Sequence, residues 1–281
     1  MERRRLGRTG FEASVVALGG AILIGASQRE ADRAIEKALE CGVNYFDIAP
    51  TYGDSEVLVR PWVQRYRDRV FVACKTLKRT RDEAREELMR SLERVGVEYF
   101  DLYQFHGVST QEDLEAVLGP GGALEAFSEA KEESLIRHIG ITGHTASVLK
   151  EAFLRFDFDT VMFPLNFALA RHRTPQNDYR PLLELARERN VGTLAIKSIA
   201  KGRWPEGERR YQTWYEPFDT QDEIDQSLWF VLSEGVTAAP TAGDLRLLDK
   251  FLEAGRRFRH LNPEEGKSLM KKAEGLQPLF S

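Results

Sequence analysis

The feature that most restricts the fold is a beat that recurs eight times. A short, apolar, β-branched run is followed by a longer stretch whose apolar residues have helical spacing. Residues 14–18 open it and end in Gly19-Gly20, and 28–41 then carry Ala31, Ala34, Ile35, Ala38 and Leu39 on one helical face. Further strands are predicted at 43–47, 70–75, 99–105, 136–141, 160–163, 192–196 and 236–239. Helices are predicted at 53–66, 81–95, 123–133, 146–155, 180–189, 222–233 and 245–254. No linker or low-complexity break interrupts the series. Because each return to a parallel strand needs a helical crossing, the pattern implies a parallel sheet. Eight such units close into a (β/α)8 TIM barrel, a fold that typically takes about 250 residues. The 281 residues are therefore read as one α/β domain spanning 1–281. An extra C-terminal helix over 262–275 is announced by Asn262-Pro263-Glu264-Glu265.

A 42% hydrophobic content supplies a full core. The net charge of −4 and a pI near 5.9 give no reason to expect nucleic acid or an anionic membrane as partner. Arg3-Arg4-Arg5, followed by Leu6-Gly7-Arg8-Thr9-Gly10, reads as the solvated strand of an N-terminal β-hairpin. Cys41 and Cys74 lack metal-ligand spacing and read as buried thiols in a reducing compartment, so no metal is expected. No apolar run approaches the ~20 residues of a membrane span, and the N-terminus lacks an apolar signal core, so the expected location is the cytoplasm.

Two predicted loops are long, 106–122 and the aromatic-rich 197–221 with Trp204, Tyr211, Trp214, Tyr215 and Phe218. Both follow strands, which places them on the face where barrels carry active sites. Strands two, three and four end in Asp47, Lys75 and His106. Alone, each has an ordinary reading: a helix cap, a solvated lysine, a core histidine. Together, on neighbouring strands, they converge on one side of the barrel mouth.

The segment Tyr45-Phe46-Asp47-Ile48-Ala49-Pro50-Thr51-Tyr52-Gly53-Asp54-Ser55-Glu56 resembles the signature of the aldo-keto reductase family. Phe71-Val72-Ala73-Cys74-Lys75, Leu102-Tyr103-Gln104-Phe105-His106 and the hairpin at 6–10 resemble further parts of it, in the right order, and the resemblance runs from 6 to 248. It implies an NAD(P)H-dependent oxidoreductase that reduces an aldehyde or ketone reversibly. Tyr52 would be the proton donor, Lys75 would stabilise the phenolate, Asp47 would hold the ammonium, and His106 would orient a small carbonyl substrate or share the proton.

The same resemblance implies a cofactor site, with departures. Thr142 and Gly143 stand where Ser-Asn is common, Met162 stands where Gln would be, and Asn166 matches the family's Asn. Ile196-Lys197-Ser198-Ile199-Ala200-Lys201-Gly202 looks like a branch in which a lysine takes the place of the usual serine and faces the pyrophosphate, with Lys201 and Gly202 beside it. Thr241, Gly243 and Asp244 lie where the family reads the adenosine phosphate. Asp244 either accepts from a free ribose hydroxyl, which would favour NAD, or caps the last barrel helix; NADP is the expected cofactor, with NAD as the alternative. Other readings of the same residues are a nucleotide-sensing regulatory subunit with slow turnover, a Schiff-base aldolase using Lys75 or Lys197, and a family member with decayed cofactor contacts.

Overall fold

In the computed structural model, which describes residues 1–280, eight parallel strands form one sheet. In chain order they are β1 (Val16–Gly19), β2 (Tyr45–Asp47), β3 (Phe71–Thr76), β4 (Phe100–Phe105), β5 (Ile136–Thr142), β6 (Thr160–Pro164), β7 (Gly192–Ile196) and β8 (Ala239–Pro240). β8 pairs with β1 through Ala239 opposite Val16. A parallel bridge between Leu194 and Ala238 and the bond from Ala195 N–H to the Ala238 carbonyl, 2.9 Å, bring β7 beside it. The ring is thereby closed into the expected (β/α)8 barrel.

The helices are α1 (Gln28–Glu40), α2 (Ser55–Tyr66), α3 (Arg81–Val95), α4 (Gln111–Leu118), α5 (Ala123–Glu132), α6 (Ala146–Arg155), α7 (Phe167–Arg171), α8 (Arg180–Glu188), α9 (Gln221–Ser233), α10 (Leu248–Arg256) and α11 (Pro263–Ala273). Local chemistry sets their ends. Ser27 and Glu30 form a reciprocal capping box on α1, Asn262 and Glu265 do the same on α11, and Gly96 ends α3 in the left-handed region at φ +71°.

Arg3–Arg5 pairs with Glu12–Ser14 as the predicted hairpin. Its Leu6, Phe11 and Ala13 pack against Ala17, Tyr45, Phe71, Leu102, Met162 and Leu194 inside the barrel. The fit requires a glycine at 192, where a Cβ would lie 2.6 Å from the Leu6 side chain. The hairpin therefore plugs the N-terminal end of the barrel and leaves the other end open.

Three expectations change. Residues 106–122 are not a plain loop: they hold α4, which Thr110 caps by accepting from Asp113 N–H and which buries Leu114 and Val117. Within 197–221, Ala200–Gly202 pairs with Glu216–Pro217. The predicted helix at 245–254 begins as a 3-10 turn, Leu245–Leu247, before α10. Cys41 and Cys74 are free thiols. Among the described residues no helix is long and apolar enough to cross a membrane, and no group of three His, Cys, Asp or Glu is placed to hold a metal ion.

Candidate active site

Side chains two apart on a strand share a face. Tyr45 and Asp47 on β2, Phe71, Ala73 and Lys75 on β3, and Leu102 and Gln104 on β4 therefore rise through the barrel interior from an apolar floor to a polar mouth. Register aligns them: Asp47 lies opposite Ala73, and Lys75 opposite Gln104. Lys75 Nζ reaches Asp47 Oδ2 at 2.5 Å, with both residues buried. Gln104, also buried, donates from Nε2 to Asp47 Oδ1 at 3.2 Å. Gln104 is the member of the group that sequence reasoning missed. Its position two residues before His106 was the available signal.

Tyr52 follows β2 in the turn before α2, where its carbonyl accepts from Ser55 N–H at 3.2 Å. The Lys75 ammonium lies 5.2 Å from the centre of the Tyr52 ring, and the His106 imidazole meets that ring edge-on at 5.7 Å. Asp47, Tyr52, Lys75 and His106 thus lie together at the barrel mouth.

Their electrostatics follow from burial and charge. Burial raises the Tyr52 pKa above its ordinary value; Lys75 pulls it down, Asp47 pushes it up, and the net is a phenol that keeps its proton at neutral pH. Burial lowers the Lys75 pKa, but Asp47 and then Tyr52 outweigh it and hold it above the usual lysine value. His106 is lowered to about 3, first by burial and then by the Lys75 charge, so it is a neutral imidazole.

A cavity of about 450 Å³ opens beside this group. Asp47 and Tyr52 stand at one part of its wall, Ile196 and Lys197 at the end of β7, and Thr241 and Gly243 after β8. Of the five aromatics in the long loop, Trp214 and Tyr215 reach the cavity. Trp204 and Tyr211 stack on each other, and Phe218 stacks on Phe167 in the core.

The remaining predicted cofactor residues divide. Lys197, Thr241 and Gly243 line the cavity. Thr142 is buried, and its hydroxyl accepts from Gly107 N–H at 2.9 Å. Gly143 stands where a Cβ would overlap the Val108 carbonyl oxygen, so the segment after β4 leaves no room for a side chain there. Met162 is an interior core residue. Asn166 caps α7, accepting from Leu169 N–H at 2.8 Å, and donates to the Lys197 carbonyl at 3.1 Å. Lys201 is paired with Glu216 at 2.7 Å, and Gly202 lies against the Gln277 carbonyl, both away from the cavity wall.

Asp244 takes the capping alternative. Its two oxygens accept from Arg246 N, Nε and Nη2 and from Gln212 N at 2.7–2.9 Å, so every acceptor position is engaged. Burial pushes its pKa up, but these donors outweigh that and hold it below the usual carboxylate range.

The model of the Aldo/keto reductase family matches residues 16–271. The uncharacterized oxidoreductase YqkF of Bacillus subtilis is 30% identical over 216 residues, which cover 72% of this chain and 66% of that protein. The aldo-keto reductase YhdN of the same organism is 28% identical over 221 residues, 72% of this chain and 63% of that protein. In both, the chain spans just under two thirds of the relative's own length. Among solved structures, the aldo-keto reductase AKR11C1 from Bacillus halodurans in its holo form superposes with a TM-score of 0.76 at 23% identity, covering 100% of this chain and 98% of that one. An aldo-keto reductase from Klebsiella pneumoniae in complex with NADPH gives a TM-score of 0.70 at 18% identity, covering 97% and 95%.

Proposed function

The chain belongs to the aldo/keto reductase family, and on that premise we propose that it is an NAD(P)H-dependent oxidoreductase reducing an aldehyde or ketone to the alcohol, reversibly. The observation that carries this reading is the grouping of a protonated Tyr52, a charged Lys75 held by buried Asp47, and a neutral His106 beside a cavity.

The cavity suits the nicotinamide end of a dinucleotide. Its volume falls in the range of small-ligand sites, its wall is apolar at Ile24, Ile196 and Trp214, and Thr241 offers a hydroxyl. Thr241 and Gly243 would hold the group, which supplies hydride when bound. NADP is the proposed form. The Klebsiella relative is in complex with NADPH, and Asp244, the residue that would favour NAD, has no free acceptor.

The chain's own residues manage the proton. His106 stays neutral, so one ring nitrogen can donate to a carbonyl oxygen and place it near the Tyr52 hydroxyl. Tyr52 gives its proton to that oxygen as negative charge builds there. The phenolate left behind meets the Lys75 ammonium, which Asp47 and Gln104 hold in place. A Schiff-base role for Lys75 is disfavoured by Asp47, which keeps the amine protonated.

Tyr52→Phe tests the reading. Carbonyl-dependent NADPH oxidation over a small aldehyde and ketone panel should fall by about 10²–10⁴-fold, while NADPH still quenches or shifts fluorescence. Undiminished turnover in the variant would remove Tyr52 from the proton path.

A further inference from the structure

Two cations of the cavity wall have no task in the proton-delivery scheme: Arg209, which is exposed and donates to the Tyr211 and Gln212 carbonyls, and Lys197, which is drawn in among the aromatic rings. The Lys197 backbone is left-handed at φ +62°, a conformation unfavourable in a residue with a Cβ. Two bonds to its carbonyl hold it there, from Asn166 Nδ2 at 3.1 Å and from Ala200 N–H at 3.0 Å. The side chain lies in the cavity wall, with Nζ 5.2 Å from the centre of the Trp214 ring and 5.6 Å from that of Tyr215.

Neighbouring carboxylates are engaged elsewhere. Asp47 is taken by Lys75 and Gln104, Glu216 by Lys201, and Asp244 by Arg246 and Gln212. Among the described residues Lys197 pairs with no acid. Burial, and then the Lys75 charge, bring its pKa down to about 8 against a small opposing pull from Asp47. Lys197 shares the cavity wall with Tyr52 and Asp47. A sequestered cation without a counter-ion is costly to maintain, and an arriving anion relieves that cost.

We propose that Lys197 recognises a negatively charged group on the substrate, so that the preferred substrates are aldehydes or ketones that also carry a carboxylate. This rests on the carbonyl-reductase reading above. The faces of Trp214, half exposed at 51%, and Tyr215 would take the apolar spacer between carbonyl and carboxylate. The phosphates of a dinucleotide present the same chemistry, and the experiment separates the two sources.

The pair 4-carboxybenzaldehyde and methyl 4-formylbenzoate differs in charge with ring and aldehyde kept constant. At saturating NADPH the wild type should favour the acid in kcat/KM by about tenfold or more, mainly through KM. Lys197→Met should erase that preference and Lys197→Arg should retain most of it. An unchanged preference in Lys197→Met overturns the proposal; if NADPH Kd has risen about tenfold in the same variant, the ammonium serves the dinucleotide's phosphates instead. A second arm needs no turnover: terephthalate titrated against each protein, read by tryptophan fluorescence from Trp214. If neither aldehyde is reduced, but terephthalate binds wild type about tenfold more tightly than Lys197→Met, the anion site stands and the reductase reading falls. Equal binding to both proteins overturns the anion site.

Discussion

Lys75 Nζ sits 2.5 Å from Asp47 Oδ2 at the polar end of the barrel interior, and neither residue has appreciable contact with solvent. A buried pair of this kind contributes little net stability over an apolar filling, because both ions lose their hydration. Its presence is better explained by the chemistry it holds ready, a fixed positive charge under the Tyr52 ring.

Removing one partner is a different matter, since the other charge is then stranded. Asp47→Asn should destabilise the fold by about 3–5 kcal/mol and suppress carbonyl reduction. Adding Lys75→Met to it should restore much of the stability and none of the activity. Urea unfolding of the two single variants and the double variant checks the coupling. A loss below about 1 kcal/mol in Asp47→Asn would mean the pair is solvated in solution.

The two mouth histidines set an acid dependence of stability. Burial, followed by the charges around them, lowers His106 to about 3 and His144 to about 4, against 6.5 for each in its unperturbed state. With folded pKa values depressed, their contribution is intact above pH 6.5 and is lost as pH falls toward 4 and 3, because the unfolded chain takes up protons that the folded chain refuses. Stability should therefore decline from pH 6.5 downward by at most about 1.4 kcal/mol per pH unit for each histidine. Urea midpoints at pH 7, 6 and 5 should show a shallower decline in His106→Gln. Parallel lines for the two proteins would assign the effect to another group.

Gly143 and Gly266 make a contrasting pair. A Cβ at 143 would overlap the Val108 carbonyl, in the segment that carries His106, whereas a Cβ at 266 would meet nothing within 4 Å on α11. Gly143→Ala should destabilise by about 1–3 kcal/mol and lower turnover as the His106 segment shifts. Gly266→Ala should stabilise by about 0.5–1 kcal/mol with turnover intact. Thermal melts and initial rates on both variants decide it, and a neutral Gly143→Ala would show that the segment after β4 yields freely.

Asp47, Lys75 and His106 were legible in the linear sequence because they end three successive strands. The two-residue period of a strand, applied to β4, also points Gln104 inward. The α4 helix was readable in principle from the Thr110 cap and the burial spacing of Leu114 and Val117. The neighbouring glycines, Gly119, Gly121 and Gly122, made the whole segment look like loop.

The cofactor side behaved differently, because its residues are defined by partners far away in sequence. Asn166 looks like a ligand residue until its oxygen is found capping α7 and its amide holding Lys197, 31 positions on. Asp244 looks like a ribose reader until Gln212 and Arg246 fill its acceptors. Of five loop aromatics, only the folded loop decides that Trp214 and Tyr215 face the cavity. The sequence alone thus determined the barrel and the clustering of Asp47, Lys75 and His106 at its mouth, since strand periodicity and strand ends are local properties. Tertiary structure alone decided which remaining polar groups are free, because hydrogen-bond capacity is used up by whatever the chain brings alongside, and that left Lys197 in the cavity wall without a carboxylate partner among the described residues.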